Sequence, residues 1–144
     1  MISIAIQTSE GETLPAPRQQ IRRWVKSALK TVDRNDVALT FIFMDAIAAK
    51  DLNKQFRKKN YATNVLTFNL DEATADIVIC MDVVKQEAKD QRKPLQSHLT
   101  HMVIHGTLHA VGFDHEVKTD AQAMEAIEIQ VLKRFGIKDP YLAV

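Results

Sequence analysis

The sequence predicts an α+β fold, in which one small mixed β-sheet of about four strands packs with about five helices. Three observations support this prediction. The chain has 144 residues, of which 46% are hydrophobic and 26% are charged, as in an ordinary globular domain. It contains no repeat, low-complexity segment or linker, which favours a single domain over residues 1–144. Its periodic segments follow the order β-α-β-α-β-β-α-α-α.

The first half of the chain is expected to alternate strands with helices. Ile2, Ile4 and Ile6 alternate with polar or small residues, which indicates a strand with one buried face. Pro17 favours the first turn of a helix, and Asp45 can cap the start of another. In chain order, the expected elements are a strand from residue 2, a helix over 15–32, a strand over 37–44 and a helix over 45–58.

The second half is expected to contain a β-hairpin followed by three helices. Residues 71–74 are long enough to form an irregular hairpin loop. Pro94 and Gly136 are typical of the residues that lie just beyond a helix. In chain order, the expected elements are strands over 65–70 and 75–81, and helices over 82–93, 95–111 and 119–135.

Residues 105–115, HGTLHAVGFDH, carry the strongest chemical signal. Residues four apart lie above one another on a helix, so His105 and His109 can bind one ion. A continuing helix would carry His115 out of reach, but Gly112 can take the positive φ that ends a helix and turns the chain back. Three imidazoles with an open fourth position suit a catalytic zinc ion, whereas structural zinc usually has four protein ligands, often cysteines. The sequence predicts one Zn²⁺ per chain, at the end of a helix in the C-terminal half.

Metzincin peptidases share the spacing H-x-x-x-H-x-x-G-x-x-H, but a catalytic glutamate follows their first histidine. This chain has Gly106 there, so a zinc peptidase is an alternative that lacks its general base. Asp114 and Glu116 are the nearby carboxylates, either as a base or as partners that orient an imidazole. His98 and His101 lie on the same helix, and we expect them to be partly buried residues that support the site rather than ligands.

The chain also resembles a known family in the order of its sequence blocks. Residues 105–115 match H-G-x-L-H-x-x-G-x-D-H, and the other similar segments are Leu52–Arg57, Thr63–Phe68, Ala75–Ile79 and Asp139–Tyr141. These blocks resemble those of the YbeY family of bacterial single-strand-specific endoribonucleases. The departures are Asn64 for aspartate, Thr67 for serine and Ala75 for glycine. Because Asn64 has no carboxylate, we expect no general-base role for it.

The resemblance implies a metal-dependent endoribonuclease that acts in ribosomal RNA processing, at the 3′ end of 16S rRNA, and in ribosome quality control. It places Arg57 in the active site with His105, His109 and His115. The partners it implies are single-stranded RNA, ribosomal RNA or the ribosomal subunit, with ribosomal proteins and an assembly GTPase as further candidates. The alternative to an enzyme is a ribosome-assembly factor in which zinc only stabilises the fold.

A local basic cluster is the expected RNA contact, because the net charge of +1 creates no overall positive field. Lys54, Arg57, Lys58 and Lys59 lie at the end of a predicted helix and in the loop after it. A guanidinium grips phosphate through two parallel hydrogen bonds, so Arg57 is expected to neutralise charge on the scissile phosphate. The three lysines are expected to contact the RNA backbone.

Two further features exclude other classes of protein. Cys80 is the only cysteine, which rules out an internal disulfide, and its apolar neighbours favour a buried thiol. The sequence contains no stretch of about 18 apolar residues and no signal-peptide pattern after Met1. We therefore expect a cytoplasmic protein with no membrane partner.

Overall fold

The computed structural model of the protein describes residues 1–57, 63–114 and 116–142. Its elements follow the predicted order and confirm the α+β fold class. They are β1 (Ile2–Thr8), α1 (Arg18–Thr31), β2 (Val37–Met44), α2 (Ala46–Arg57), β3 (Val65–Asn69), β4 (Thr74–Cys80), α3 (Met81–Asp90), α4 (Leu95–Ala110) and α5 (Lys118–Arg134).

The helix boundaries differ from the predicted ones where the backbone leaves the helical region. α1 begins at Arg18 because Pro17, with φ −57° and ψ 140°, is the extended residue before it. α3 ends three residues earlier than predicted. Arg92 takes a φ of +55° there, and the amide of Lys93 donates a hydrogen bond to the carbonyl of Ala88.

The four strands form one mixed sheet in the order β1-β2-β4-β3. β1, β2 and β4 are parallel. Their register places Leu39 in β2 between Ile4 in β1 and Ala75 in β4. β3 runs antiparallel to β4, with Thr67 opposite Ile77, which is the predicted hairpin. The parallel pairs require crossover connections, and α1 and α2 lie in the chain segments that make them.

Helices cover both faces of the sheet. On one face, Phe41 and Ile77 belong to the main core, together with Trp24 of α1. On the other face, a smaller cluster joins Ala49 of α2 to Cys80 of β4. Trp24 is 2% exposed, and Cys80 is 1% exposed, in agreement with the expected buried thiol.

α4 is the central helix of the main core, packing against α1, α3 and α5 and against β3 and β4. Gly106 lies at a close contact between α4 and the sheet: a Cβ atom there would be 2.7 Å from Cγ2 of Ile77. The position after His105 therefore faces the sheet and has no room for a glutamate. Within the ranges that the structure describes, no helix combines the length and apolar character needed to cross a membrane.

Candidate metal centre

Four histidines form a stripe along one side of α4. His98, His101, His105 and His109 are separated by three, four and four residues, a spacing that keeps them on one face of a helix. The centroids of successive rings are 6.2, 6.3 and 6.4 Å apart. The rings of His105 and His109 are nearly parallel, at 11°. The stripe therefore brings the two predicted helical ligands side by side.

Glu128 of α5 orients the ring of His105. Its Oε2 atom lies 2.7 Å from Nδ1 of His105, and the Glu128 side chain is 0% exposed. An ionised carboxylate only accepts hydrogen bonds, so Nδ1 of His105 carries the proton and donates. The lone pair of the neutral ring is then on Nε2, which is the nitrogen that would bind an ion.

The C-terminal turn of α4 orients the ring of His109 in the same way. Gly112 has the predicted positive φ, at +108°, and the chain turns so that the carbonyl of Phe113 lies 2.9 Å from Nδ1 of His109. A carbonyl oxygen also only accepts, so Nδ1 of His109 donates and the lone pair of its neutral ring is on Nε2. Both histidines thus have the tautomer that a metal ligand needs.

The second oxygen of Glu128 binds the C-terminal segment. The hydroxyl of Tyr141 donates a hydrogen bond to Oε1 of Glu128. Nε2 of His101 lies 3.2 Å from the Tyr141 hydroxyl and 3.4 Å from Oε1 of Glu128. Burial alone would raise the pKa of Glu128, but hydrogen bonds from His101 and His105 lower it to about 2. Burial and the neighbouring carboxylate raise the pKa of Tyr141, so the phenol stays protonated and donates.

The other end of the stripe contacts α3. Nε2 of His98 lies 3.0 Å from Oε1 of Glu87, which also accepts a hydrogen bond from the side-chain amide of Asn64 at 3.2 Å. Burial lowers the pKa of His98, and the bond to Glu87 offsets part of that effect. A cavity of about 830 Å³ opens beside the stripe, and His98, His101, His105 and Tyr141 are among its lining residues.

These residues fit a metal ion. Among the described residues, His101, His105 and Glu128 offer ligand atoms within 4.8 Å of one another and could hold one. The hydrogen bonds point to a different division of roles, because both oxygens of Glu128 are already acceptors, for His105 and for Tyr141. Imidazoles whose Nδ1 donates to a carboxylate or a carbonyl are typical of zinc sites.

The structure brings together several of the residues expected at the site. His105 and His109 are adjacent on α4, with the side chain of His105 23% exposed. His101 is 7% exposed and is linked to His105 through Glu128. Asp114 is half-buried just after the turn of α4, and its expected role in orienting a ligand stays a prediction.

The proposed RNA-binding residues and the third ligand are less fully described. Lys54 is exposed on α2, and Arg57 is the last residue of that helix. The side chain of Arg57 lies outside the described part of the structure, as do Lys58, Lys59 and His115. Their roles stay predictions.

Sequence reasoning missed three groups around the histidines. Two of them are side-chain groups, the carboxylate of Glu128 and the hydroxyl of Tyr141. The third is the backbone carbonyl of Phe113. A signal for Glu128 was present, because it lies on the apolar stripe of α5 with Met124 and Val131, which are 1% and 0% exposed. A lone carboxylate at a core position needs a buried partner. The carbonyl of Phe113 has no such signal, since every residue carries one.

Comparisons with known proteins identify the family. Residues 4–136 match the family model described as Endoribonuclease YbeY. A protein of that name from Cupriavidus necator is 45% identical over an alignment of 148 positions, gaps included, covering 97% of this chain and 73% of the relative. One from Paraburkholderia phymatum is 42% identical over 150, covering 97% and 95%. The solution structure of TM1509 from Thermotoga maritima has a TM-score of 0.65 and 26% identity, covering 94% of this chain and 92% of that one. On this evidence of sequence and fold, the chain belongs to the YbeY family.

Proposed function

We propose that this protein is a metal-dependent endoribonuclease that cleaves single-stranded RNA during ribosomal RNA processing, with the 3′ end of 16S rRNA as its site of action. The observation that carries the proposal is the family match over residues 4–136, which includes the oriented pair His105 and His109. The relatives it matches are named as endoribonucleases. Two oriented imidazoles on a buried helix are the kind of site such an enzyme requires.

The proposed cofactor is one Zn²⁺ per chain, held by Nε2 of His105, Nε2 of His109 and the side chain of His115. Support comes from the two Nδ1 hydrogen bonds, which direct the Nε2 lone pairs of the neutral rings away from Glu128 and Phe113. When bound, the ion supplies Lewis-acid polarisation of an oxygen of the scissile phosphate. We assign Glu128 and His101 to the support of the ligands rather than to the ion.

The substrate is proposed to be bound by the basic cluster. Arg57 would pair with the scissile phosphate, and a guanidinium held there offsets the charge that develops during cleavage. Lys54, Lys58 and Lys59 would contact neighbouring phosphates, which makes binding weaker at high salt. The cavity beside the histidine stripe favours an unpaired strand, because a duplex is too rigid to bend into a cleft of this size.

The cellular setting is proposed from the same family relationship. Ribosomal RNA or the ribosomal subunit would be the substrate in the cytoplasm, and ribosomal proteins and an assembly GTPase would be the protein partners. The peptidase alternative finds no support in the packing of α4. Gly106 packs against Ile77 of the sheet, so the position that carries the metzincin base has no room for a glutamate.

Metal analysis combined with RNA cleavage tests this proposal. Purified protein should contain about one zinc-like ion per chain, and His109→Ala should lose it because a paired ligand is removed. Metal-loaded protein should cut single-stranded RNA in preference to a matched duplex. A 5′-phosphate on the product would assign the attack to water, and a 2′,3′-cyclic phosphate would assign it to the ribose 2′-hydroxyl. Unchanged metal content in His109→Ala would contradict the metal site.

Substitution of Arg57 distinguishes an enzyme from an assembly factor that zinc only stabilises. Arg57→Ala should retain metal and fold while losing most RNA cleavage, and Arg57→Lys should restore little because a lysine cannot make the two-pronged contact. Arg23→Ala, at an exposed arginine of α1, is the matched control and should cleave like the parent. Robust peptide cleavage that leaves single-stranded RNA intact would favour the peptidase. Normal RNA cleavage by both Arg57 variants would show that Arg57 does not belong to the active site.

A further inference from the structure

We propose that Glu128 is a positioning residue, which fixes the ring of His105 for metal binding and is itself held in place by Tyr141. This inference rests on the proposed metal site, in which His105 is a ligand. It goes further by assigning a function to a carboxylate in α5 and to a tyrosine in the C-terminal segment.

The burial of Glu128 is the first argument. Its side chain is 0% exposed and lies on the same face of α5 as Met124, Val131 and Leu132, where an apolar residue would pack. Removing a carboxylate from water is unfavourable, and replacing buried charged groups by apolar residues of similar volume is often neutral or stabilising. Stability alone therefore gives no reason for a glutamate at this position. A role in orienting His105 for metal binding would explain the presence of a glutamate there.

The geometry of the contact is the second argument. A hydrogen bond of 2.7 Å from Nδ1 to Oε2 sets both the tautomer and the rotation of the His105 ring. A carboxylate partner also makes the imidazole a better electron donor to an ion at Nε2. The two helical ligands thus have independent supports, since His109 depends on the carbonyl of Phe113 and His105 depends on a neighbouring helix.

Tyr141 supplies the third argument, because it occupies the other oxygen of the carboxylate. Its hydroxyl donates to Oε1 of Glu128, and its oxygen lies 3.2 Å from Nε2 of His101. Nζ of Lys93 donates to the carbonyl of Pro140 at 2.8 Å, which anchors the segment beside the start of α4. With both oxygens bonded, any rotation of the Glu128 carboxylate away from His105 would break a hydrogen bond.

Metal affinity, measured by competition with a chelator, tests the proposal in three variants. Glu128→Ala should weaken metal binding by about 10- to 100-fold, the usual cost of losing a partner that orients a ligand. Glu128→Gln should lose less, because its amide oxygen can accept from Nδ1 of His105 while its NH₂ group donates to Tyr141. Tyr141→Phe should give a several-fold loss. Glu12→Gln is the matched control, since Glu12 is half exposed in the loop after β1, and it should bind metal like the parent.

Two further measurements separate positioning from folding. The unfolding midpoint of the metal-free variants reports stability alone, and the visible spectrum of the cobalt-substituted proteins reports the ligand geometry. We expect the spectrum of Glu128→Gln to shift while its metal-free midpoint stays close to that of the parent. If Glu128→Ala does not fold, Glu128→Gln and Tyr141→Phe carry the comparison.

The outcomes distinguish this proposal from the one on which it rests. If His105→Ala loses metal while the Glu128 and Tyr141 variants bind it like the parent, the positioning role is wrong and the metal site stands. If Glu128→Ala loses metal as completely as His105→Ala, Glu128 is itself a ligand, in the group formed with His101 and His105. If His105→Ala keeps its metal, the proposed site fails and this inference with it.

Discussion

The side-chain amide of Asn69, the last residue of β3, donates a hydrogen bond of 2.8 Å to the carbonyl of Ala110, the last residue of α4. Nη1 of Arg34 donates to the next carbonyl, that of Val111, at 3.1 Å. The final carbonyls of a helix have no partner within it, so these side chains satisfy groups that would otherwise need water. The end of α4 that carries His109 is thereby tied to the sheet and to the segment after α1.

Asn69→Ala should destabilise the protein by about 1 kcal/mol, because the carbonyl of Ala110 loses its donor in a partly buried setting. Urea unfolding of the metal-free protein measures this change in the free energy of unfolding. Asn35→Ala, at an exposed asparagine, is the control and should be close to neutral. Equal losses in the two variants would show that the bond to Ala110 contributes nothing.

Gly106→Ala should also be destabilising, by about 1–3 kcal/mol, because the added Cβ overpacks the helix–sheet contact. The new atom would lie 2.7 Å from Cγ2 of Ile77 and 3.2 Å from Cγ1 of Val65. Alanine has the higher helix propensity, so a stabilised Gly106→Ala protein would contradict the close approach. In a double-mutant cycle with Ile77→Ala, the second change should relieve part of the cost of the first.

Gly112→Ala should weaken both stability and metal binding. A Cβ at this position meets no atom within 4 Å, so the cost is that of the positive φ, about 1–2 kcal/mol for a residue with a side chain. Relaxation of the turn would move the carbonyl of Phe113 away from His109, and the metal affinity should fall. Gly11→Ala is the matched control, because Gly11 has a φ of +83° in the loop after β1. It should lose stability but keep the metal affinity of the parent.

His98 should make the metal-free protein less stable as the pH falls. Burial lowers its pKa below 6.5, and the charges of His101 and Lys93 act in the same direction, while Glu87 opposes them. As the pH falls through 6.5, the ordinary pKa of histidine, the unfolded chain binds a proton at this residue more readily than the folded protein does. The free energy of unfolding therefore decreases. In His98→Gln the decrease between about pH 7 and pH 5 should be smaller than in the parent. A ring titration of His98 by NMR at or above 6.5 would contradict the prediction.

The fold was largely predictable because its elements carry strong local signals. The alternation at Ile2, Ile4 and Ile6 depends only on neighbouring residues, and the structure confirms the strand that it predicts. The early end of α3 was not predictable in the same way, since Arg92 adopts a positive φ that is rare for residues other than glycine. The pairing of β2 with β4 rather than β3 is a tertiary choice that no local pattern specifies.

The candidate site likewise has some features that the local sequence predicts and others that arise only from tertiary packing. The spacing of His105 and His109 and the positive φ of Gly112 could be read locally, because helix geometry relates residues close in sequence. The bond from His105 to Glu128 joins two helices, and its geometry arises only when they pack. The absence of a glutamate at Gly106 was interpreted as lost chemistry, whereas the structure gives a steric reason in Ile77.

The link between α4 and α5 also has a consequence for the newly made protein. Synthesis proceeds from the N terminus, so the four strands are complete once Cys80 has emerged, and the histidines of α4 follow. Glu128 and Tyr141 follow the histidines in the sequence and are made later. A nascent chain that stops before α5 would carry His105 without its carboxylate, and it should bind a metal ion more weakly. Metal capture would then be reserved for chains in which α5 and Tyr141 have already been made.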